Sequence, residues 1–346
     1  MRSSKGAAWT RRSGFTLPAV LTVTGVVTLI FVVAMTAMTS LRAEAASARQ
    51  RVQFLQRAMT AEAGVSWLLA TEPVGNRGLM LGAVRSAGFE ADAASVVEPS
   101  VARFEWLADG TSYRMSESLV VRLRDQAGMI NLLRLDPEQI MRLADLLRMP
   151  AAEASVLAAR LTDYTDPDDL RGVRGAEARD YGHAIPNRPL VRTGELLSVL
   201  GVREAVADDV WRRVRGEIAV DHTQPGINAN TASVDALMVI FGMSRGQAEA
   251  TVVGRRRQPF YSIRDISQVS GATLIDQLEG VATFPSGRFI LDIRDGSSPW
   301  TYRARLVLTP AGIEQPLWID QTELTEAPRR AVADMKNAVV LPDPLY

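Results

Sequence analysis

The chain has 346 residues, of which 47% are hydrophobic and 23% charged, with Lys plus Arg equal to Asp plus Glu at 39 each. That length fits two or three domains of roughly 150 residues, the composition excludes global disorder, and the even charge lacks the basic excess of nucleic-acid-coating proteins. The absence of cysteine excludes disulfide scaffolds, thiolate metal sites and Cys nucleophiles, and two histidines, His183 and His222, argue against His-based zinc or hydrolase chemistry.

No charged side chain occurs between Arg12 and Arg42, and Phe15 to Met38 is dominated by Leu, Val, Ile, Phe, Ala and Thr. At 1.5 Å rise per residue that run spans about 36 Å, enough to cross a hydrocarbon layer about 30 Å thick. Arg2, Lys5, Arg11 and Arg12 precede it without an acid, so the expected orientation is N-terminus inside, C-terminus outside. A cleaved secretory signal is the alternative; it requires a shorter apolar core followed by a small-residue cleavage site. No proline occurs from Ala19 to Glu72, and beyond Arg42 the pattern turns amphipathic, with Val52, Leu55, Met59 and Ala63 recurring at helical spacing. The spacing predicts one helix from Phe15 to Glu72, about 85–90 Å long, ended by Pro73. Pro18 falls in its first turn, where a missing N–H costs little.

Arg11-Arg12-Ser13-Gly14-Phe15-Thr16-Leu17 resembles a type IV prepilin leader, with basic residues, then Gly, then Phe heading an apolar helix. The resemblance implies cleavage after Gly14 by a prepilin peptidase and N-methylation of Phe15. Most pilins carry Glu at the fifth position after the cut; here it is Ala19. A buried carboxylate in lipid is costly unless paired, and in pilins its partner is a neighbour's α-amino group, so a subunit lacking it cannot make that pair.

After Pro73 helical periodicity is lost through Gly75, Gly78 and Gly82. Phe104 to Leu107 alternates, Asp109-Gly110 reads as a hairpin turn, and Ser112 to Arg124 alternates again, predicting antiparallel strands. From about Asp125 to Gly280 short helices follow. Asp136-Pro137-Glu138-Gln139 carries an N-cap, a proline at the first helical position and a capping-box Gln. Further helices are expected over Ala152–Leu161, Thr193–Leu200, Val206–Val214, Ser233–Phe241, Arg245–Arg256 and Ile263–Val269. Strands return over Phe289–Arg294, Tyr302–Leu308 and Leu317–Glu323, with turns at Asp295-Gly296 and Ala311-Gly312. The tail Ala338–Tyr346, with Pro342 and Pro344, is expected to be a surface extension.

This order resembles the general secretion pathway protein K family, the large minor pseudopilins of type II secretion. Its blocks stand in sequence: Asp125-Gln-Ala-Gly128-Met-Ile-Asn131-Leu132, Asp163-Tyr-Thr-Asp166-Pro-Asp168, Gly175-Ala176-Glu177 with Tyr181, Asn187-Arg-Pro-Leu190 to Glu195-Leu196, and Ile227-Asn228-Ala-Asn230-Thr231-Ala232. Leu133 stands where Asn is usual and Tyr164 where Trp is common. The implied fold class is α+β: a long N-terminal transmembrane pilin helix packed on an antiparallel sheet, with a large inserted all-helical subdomain. The expected segments are a leader (1–14), the helix (15–72), a β domain in two parts (73–124 and 285–346) and the helical insertion (125–284).

Two constellations invite chemistry. The acidic run Asp163, Asp166, Asp168 and Asp169, followed by Gly172, Gly175, Glu177 and Asp180, offers the oxygen ligands on a turning loop that calcium requires. No EF-hand spacing is present, and spacing alone fits acids that cap helices and stay solvated. The resemblance to protein K, whose helical domain binds calcium, implies a structural Ca2+ with Asp163, Asp166, Asp168 and Glu177 as candidate ligands. Separately, Ile227 to Phe260 resembles the helix-hairpin-helix of competence DNA-binding proteins, whose Gly-hydrophobic-Gly hairpin admits a phosphate to a helix N-terminus. Here the hairpin is Gly242-Met243-Ser244, and the side chain of Ser244 obstructs close approach. Arg255-Arg256-Arg257 could still track a phosphate backbone, but loss of the four leader cations leaves the mature chain acidic, which opposes non-specific binding.

No Ser-His-Asp order, P-loop or dinucleotide fingerprint occurs, so nothing argues for catalysis. The resemblance implies a non-enzymatic minor pseudopilin in the inner membrane with its domain in the periplasm. It would sit at the tip of the pseudopilus, with the I and J minor pseudopilins and the major pseudopilin as partners, and help to initiate assembly for export across the outer membrane. The alternatives are a DNA-binding minor pilin of an uptake machine and, third, a helix-tethered periplasmic enzyme.

Overall fold

A computed structural model describes residues 16–82, 103–224, 226–274, 281–296, 298–309, 314–326 and 336–342. The expected leader with its Gly14-Phe15 junction, the Ala311-Gly312 turn and Pro344 lie outside them. Two compact units divide the chain, residues 1–56 and 57–346.

The first unit holds most of helix α1 (Thr16–Thr71). From Leu17 to Leu41 its large apolar side chains are all exposed, and the helix is long and apolar enough to cross a membrane. Its hydroxyls do not demand water. Thr22, Thr24 and Thr28 each donate to the carbonyl four residues back, and Thr39 and Ser40 to the carbonyl three back. Backbone carbonyls thereby satisfy the polar groups that a hydrocarbon environment would leave unpaired.

In the second unit, the end of α1 is two-faced. Ala58, Ala61, Val65, Leu68 and Leu69 are buried, while Met59 (60% exposed) and Trp67 (49%) lie on the outside with Ala63. The inner face is fastened to the sheet by polar contacts: Tyr302 donates to Glu62, and Arg57 meets Asp295 at 2.5 Å.

The strands begin with β1 (Gly78–Leu81), β2 (Phe104–Leu107), β3 (Asp109–Arg114) and β4 (Leu119–Asp125). β1 and β2 pair antiparallel as a separate ribbon. Asp109-Gly110 is not a hairpin turn. It lies inside β3, where Gly110 at φ 83° makes an irregularity in the register with β4 and Asp109 accepts from Thr111. A Cβ at Gly110 would meet Arg124 at 3.0 Å, so glycine here is a strand kink that redirects the chain between two sheets.

After β4 come β5 (Ile130–Asn131), α2 (Pro137–Leu146), α3 (Ala151–Thr165), α4 (Ala178–Tyr181), α5 (Val202–Ala205) and α6 (Asp208–Val214). Then follow β6 (Ile218–Ala219), β7 (Ile227–Asn228), α7 (Val234–Phe241), α8 (Arg245–Arg257), α9 (Ile263–Ser270) and β8 (Val281–Ala282). The expected capping box at Asp136 and Gln139 opens α2, and Ser244 with Gln247 and Ser262 with Asp265 open α8 and α9 likewise. The expected helix over Thr193–Leu200 is instead a 3-10 stretch, Thr193–Ser198, with α5 starting only beyond Gly201 at φ 83°. Leu143, Leu147, Leu157, Leu196, Val202, Val214 and Leu237 centre a continuous apolar core for this region.

The chain then completes the main sheet with β9 (Arg288–Asp295), β10 (Trp300–Leu308), β11 (Leu317–Glu326) and β12 (Val339–Val340), in the order β11-β10-β9-β4-β3-β12. The tail is therefore no surface extension at its start: β12 adds in parallel to β3, and Leu341 donates to Arg114. Ala338 and Leu341 are buried there, and burial of those apolar side chains is what draws the segment onto the sheet edge. β4 and β9 are neighbours, with Asp125 opposite Phe289, so the helical region leaves and re-enters the sheet at adjacent strand ends.

One carboxylate sits at that doorway. Asp125, 1% exposed, accepts from Ala127 N–H (3.1 Å), Asn228 Nδ2 (3.0 Å), Thr231 Oγ1 (2.8 Å), and both the N–H and Oγ of Ser286 (2.9 Å each). The start, middle and end of the insertion thus converge on it. Gly128 packs so closely on Thr231 that a Cβ would lie 2.7 Å from its hydroxyl. A second clamp is Arg255, 3% exposed, which donates to the Ala229 and Ala232 carbonyls and meets Asp109 at 3.2 Å.

Asp125→Asn turns one acceptor into a donor facing donors. We expect it to destabilise the full chain by about 2–4 kcal/mol in denaturant unfolding, against less than about 0.5 kcal/mol for Asp145→Asn at an exposed helix position.

Candidate metal centre

The acidic loop begins where α3 stops. Asp166 ends the helix, its N–H donating to Thr162 O at 2.9 Å, and Pro167 follows to prevent continuation. The loop then folds around Asp163, which is buried on the last turn of α3. Gly172 N–H donates to Asp163 Oδ2 at 3.0 Å, and a Cβ on Gly175 would lie 1.9 Å from the same oxygen. Gly175 is thus required by close approach rather than by its φ. Arg174 takes a left-handed φ of 67° between the two glycines and completes the turn.

This turn delivers Asp166, Asp168 and Glu177 to one place, each with a carboxylate oxygen within 4.8 Å of the others. Asp163 lies alongside, its carboxylate engaged by the loop backbone. Glu177 is only 6% exposed, and neither of its oxygens has a hydrogen-bond partner. Asp166 Oδ1 is likewise buried and unpartnered. Burial, with the added charges of Asp163, Asp166, Asp169 and Asp168, pushes the Glu177 carboxyl up. Burial and the Asp168 and Asp163 charges do the same to Asp166.

Asn187 arrives from the far side, at φ 42°. Its Nδ2 donates to Asp168 O (3.0 Å) and Asp169 Oδ1 (2.9 Å), leaving Oδ1 buried without a partner. The sequence block holding Asn187 was legible, but its contact with the acidic run was not, because 19 residues separate Asn187 from Asp168. Tyr164 and Tyr181 close the base of the loop, ring centroids 5.8 Å apart, and the Tyr181 hydroxyl accepts from Leu200 N–H.

The donors that converge are all carboxylate oxygens, from Asp166, Asp168 and Glu177. That set suits a hard cation such as calcium and offers nothing to zinc, which prefers imidazole and thiolate. Unpartnered buried carboxylates repel one another and face no water, so a divalent ion there would supply the missing counter-charge.

The hairpin between α7 and α8 is built differently from a phosphate site. The Ser244 hydroxyl accepts from Gln247 N–H at 3.3 Å as a helix cap. Arg255, expected to be available for tracking a phosphate backbone, is instead buried in the clamp on Asp109, because three acceptors converge there to replace its water; Arg256 and Arg257 are exposed. His183 and His222 are both exposed.

Residues 122–214 match the family described as Type II secretion system (T2SS), protein K. The chain is 29% identical over 180 residues to the Type II secretion system protein K of Pseudomonas aeruginosa, a match covering 47% of this chain. It spans about half of that relative's length, 53%. The crystal structure of the GspK-GspI-GspJ complex from the enterotoxigenic Escherichia coli type 2 secretion system contains a chain that aligns at a TM-score of 0.49. The alignment has 16% identity and covers 81% of this chain and 99% of that one. The segment that matches the protein K family, residues 122–214, carries the β4 doorway and the whole acidic loop.

Proposed function

We propose that the chain is a non-enzymatic minor pseudopilin, a fibre subunit anchored by α1 in the inner membrane with its second unit in the periplasm. The observation that carries this reading is the two-faced end of α1. Its inner face is consumed by the core, yet Met59, Ala63 and Trp67 form an outward apolar row that the domain leaves open. A row of that kind is a seam for another helix. The partners it fits are sibling subunits: the major pseudopilin and the I- and J-type minor pseudopilins, the latter named in the Escherichia coli complex. A prepilin peptidase would cut after Gly14 and leave Phe15 as the methylated N-terminus. Ala19, in place of the lipid-buried Glu of most pilins, suits a subunit that has no neighbour above it and so supports a position at the tip, where assembly starts.

The structural cation of this reading is Ca2+, held by Asp166, Asp168 and Glu177 with the Asn187 carbonyl, while Asp163 braces the loop that presents them. Its role is to pin the segment from α3 to α4.

Trp67→Glu and Met59→Glu are expected to leave unfolding of the chain within about 0.5 kcal/mol, since both side chains are exposed. Together they should lower its co-purification with the J- and I-type subunits at least about tenfold. Undiminished co-purification would exclude this face as the seam.

Calcium is expected to raise the melting temperature of the detergent-solubilised full chain, by an amount equivalent to about 2.7 kcal/mol at a hundredfold excess over Kd. Glu177→Gln and Asp168→Asn should remove most of the rise. The pH sign follows from the raised carboxyls. Without metal, their contribution favours the fold below the ordinary carboxylate range near pH 4 and is lost as pH climbs through the raised values. The calcium-induced rise should therefore be small near pH 4 and larger at pH 7. A rise independent of pH, or none in either condition, would remove the cation from this loop.

A further inference from the structure

The loop that gathers its acids inward turns a different chemistry outward. Leu170 is 78% exposed and Val173 91%, the two most exposed large apolar side chains among the described residues. Arg171 and Arg174 alternate with them, so aliphatics and guanidiniums share one crest. The crest is built, not frayed. Leu170 N–H donates to Asp168 Oδ1 at 2.8 Å, Arg171 Nε donates to Gly175 O at 3.1 Å, and Gly175 N–H donates to Gly172 O at 3.1 Å. The residue orienting Leu170 is therefore one of the candidate cation ligands.

Charge gives the crest a second property. From Asp163 to Asp180 there are six carboxylates against three guanidiniums, Arg171, Arg174 and Arg179. Without a cation the segment is acidic overall. A divalent ion on the inward side would offset two of those three excess negative charges, and Arg174, with Arg171 still 60% exposed beside its partner Asp180, is the charge nearest the exposed aliphatics.

We propose that the crest Leu170–Arg174 is a cation-gated docking surface for a bilayer rich in anionic headgroups. Isolated aliphatic prongs flanked by guanidiniums match that partner, since the prongs enter the acyl boundary while the cations stay at phosphate level. A protein partner requires a broad contact of about 800 Å² per side, and two separate prongs do not form one. The inference rests on the calcium reading above and extends it: the ion sets the shape and the sign of a surface that meets lipid.

The test uses the full chain with Val173→Cys, which introduces its single thiol, labelled with an environment-sensitive fluorophore and held by α1 in a phosphatidylcholine nanodisc. Vesicles of phosphatidylcholine with or without phosphatidylglycerol are added in calcium or EDTA, and calcium binding is measured in parallel by equilibrium dialysis. Emission should rise roughly threefold with anionic vesicles in calcium and stay flat with neutral vesicles or EDTA. Arg174→Glu should weaken the apparent vesicle affinity about fivefold, with calcium binding retained. A chain that binds calcium but gives no rise with anionic vesicles overturns this inference alone. A chain that binds no calcium overturns it together with the cation reading. A rise with pseudopilin partners but none with lipid assigns the crest to protein and also overturns it.

Discussion

The sheet and the helical region of the second unit meet at one buried carboxylate that holds two strand ends together. β4 and β9 are neighbours in the sheet but are separated in sequence by the entire helical region. An insertion of that size exerts entropic pull on its two roots, and the roots stay paired only if something local resists. Asp125 supplies it by accepting from both chain directions and from the middle of the insertion at once. Full satisfaction is what makes the arrangement affordable. A buried carboxylate with one or two donors would be a liability, whereas one with five neutral donors becomes a junction with a unique geometry. Arg255 adds a cationic counterpart on the β3 side, where three acceptors replace its water.

This junction also explains which family blocks share space. Asp125 with Gly128 and Asn228 with Thr231 belong to blocks about a hundred residues apart, yet they form one cluster. Asn131 is fixed in the same way, its side chain donating to Asp221 O and accepting from Asp221 N–H. Asn230 pairs both ways with the backbone of Phe260.

What could be read from the sequence was what short-range chemistry determines. The Asp136-Pro137 start of α2 and the alternation in β4 and β9 act within a few residues, and each stands where its local signal places it. The misreadings involve partners far away in the chain. Asp109-Gly110 carries the residues of a hairpin turn, but Gly110 serves as a kink because the chain changes sheets there. β12 is two residues long and owes its existence to the free edge of β3, which no local pattern announces. Within the acidic loop the carboxylates were visible as a run. Asn187 was not tied to them, and neither was the division between Asp163, engaged by the loop backbone, and Glu177, whose two carboxylate oxygens have no hydrogen-bond partner.

Among the described residues, buried carboxylates meet three fates. Asp292 is buried between guanidiniums: burial alone would raise its carboxyl, but Arg303 at 2.7 Å and Arg124 at 3.0 Å hold it well below the usual range. For Asp125, burial raises the carboxyl and the donors from Ser286, Asn228 and Thr231 restrain it. Asp221 and Asp295 are each faced by an arginine, Arg288 at 3.5 Å and Arg57 at 2.5 Å. Asp166 and Glu177 have buried oxygens with neither donor nor guanidinium, and each is raised by burial and by the acids beside it. A protein with 39 cationic side chains has ample means to neutralise two more acids. Arginines do stand in the same loop, at 171 and 174, yet Arg171 turns to Asp180 and Arg174 is exposed at the crest. The nearby guanidiniums thus leave Asp166 Oδ1 and both Glu177 oxygens unpaired, and buried carboxylates without a donor or counter-charge are costly.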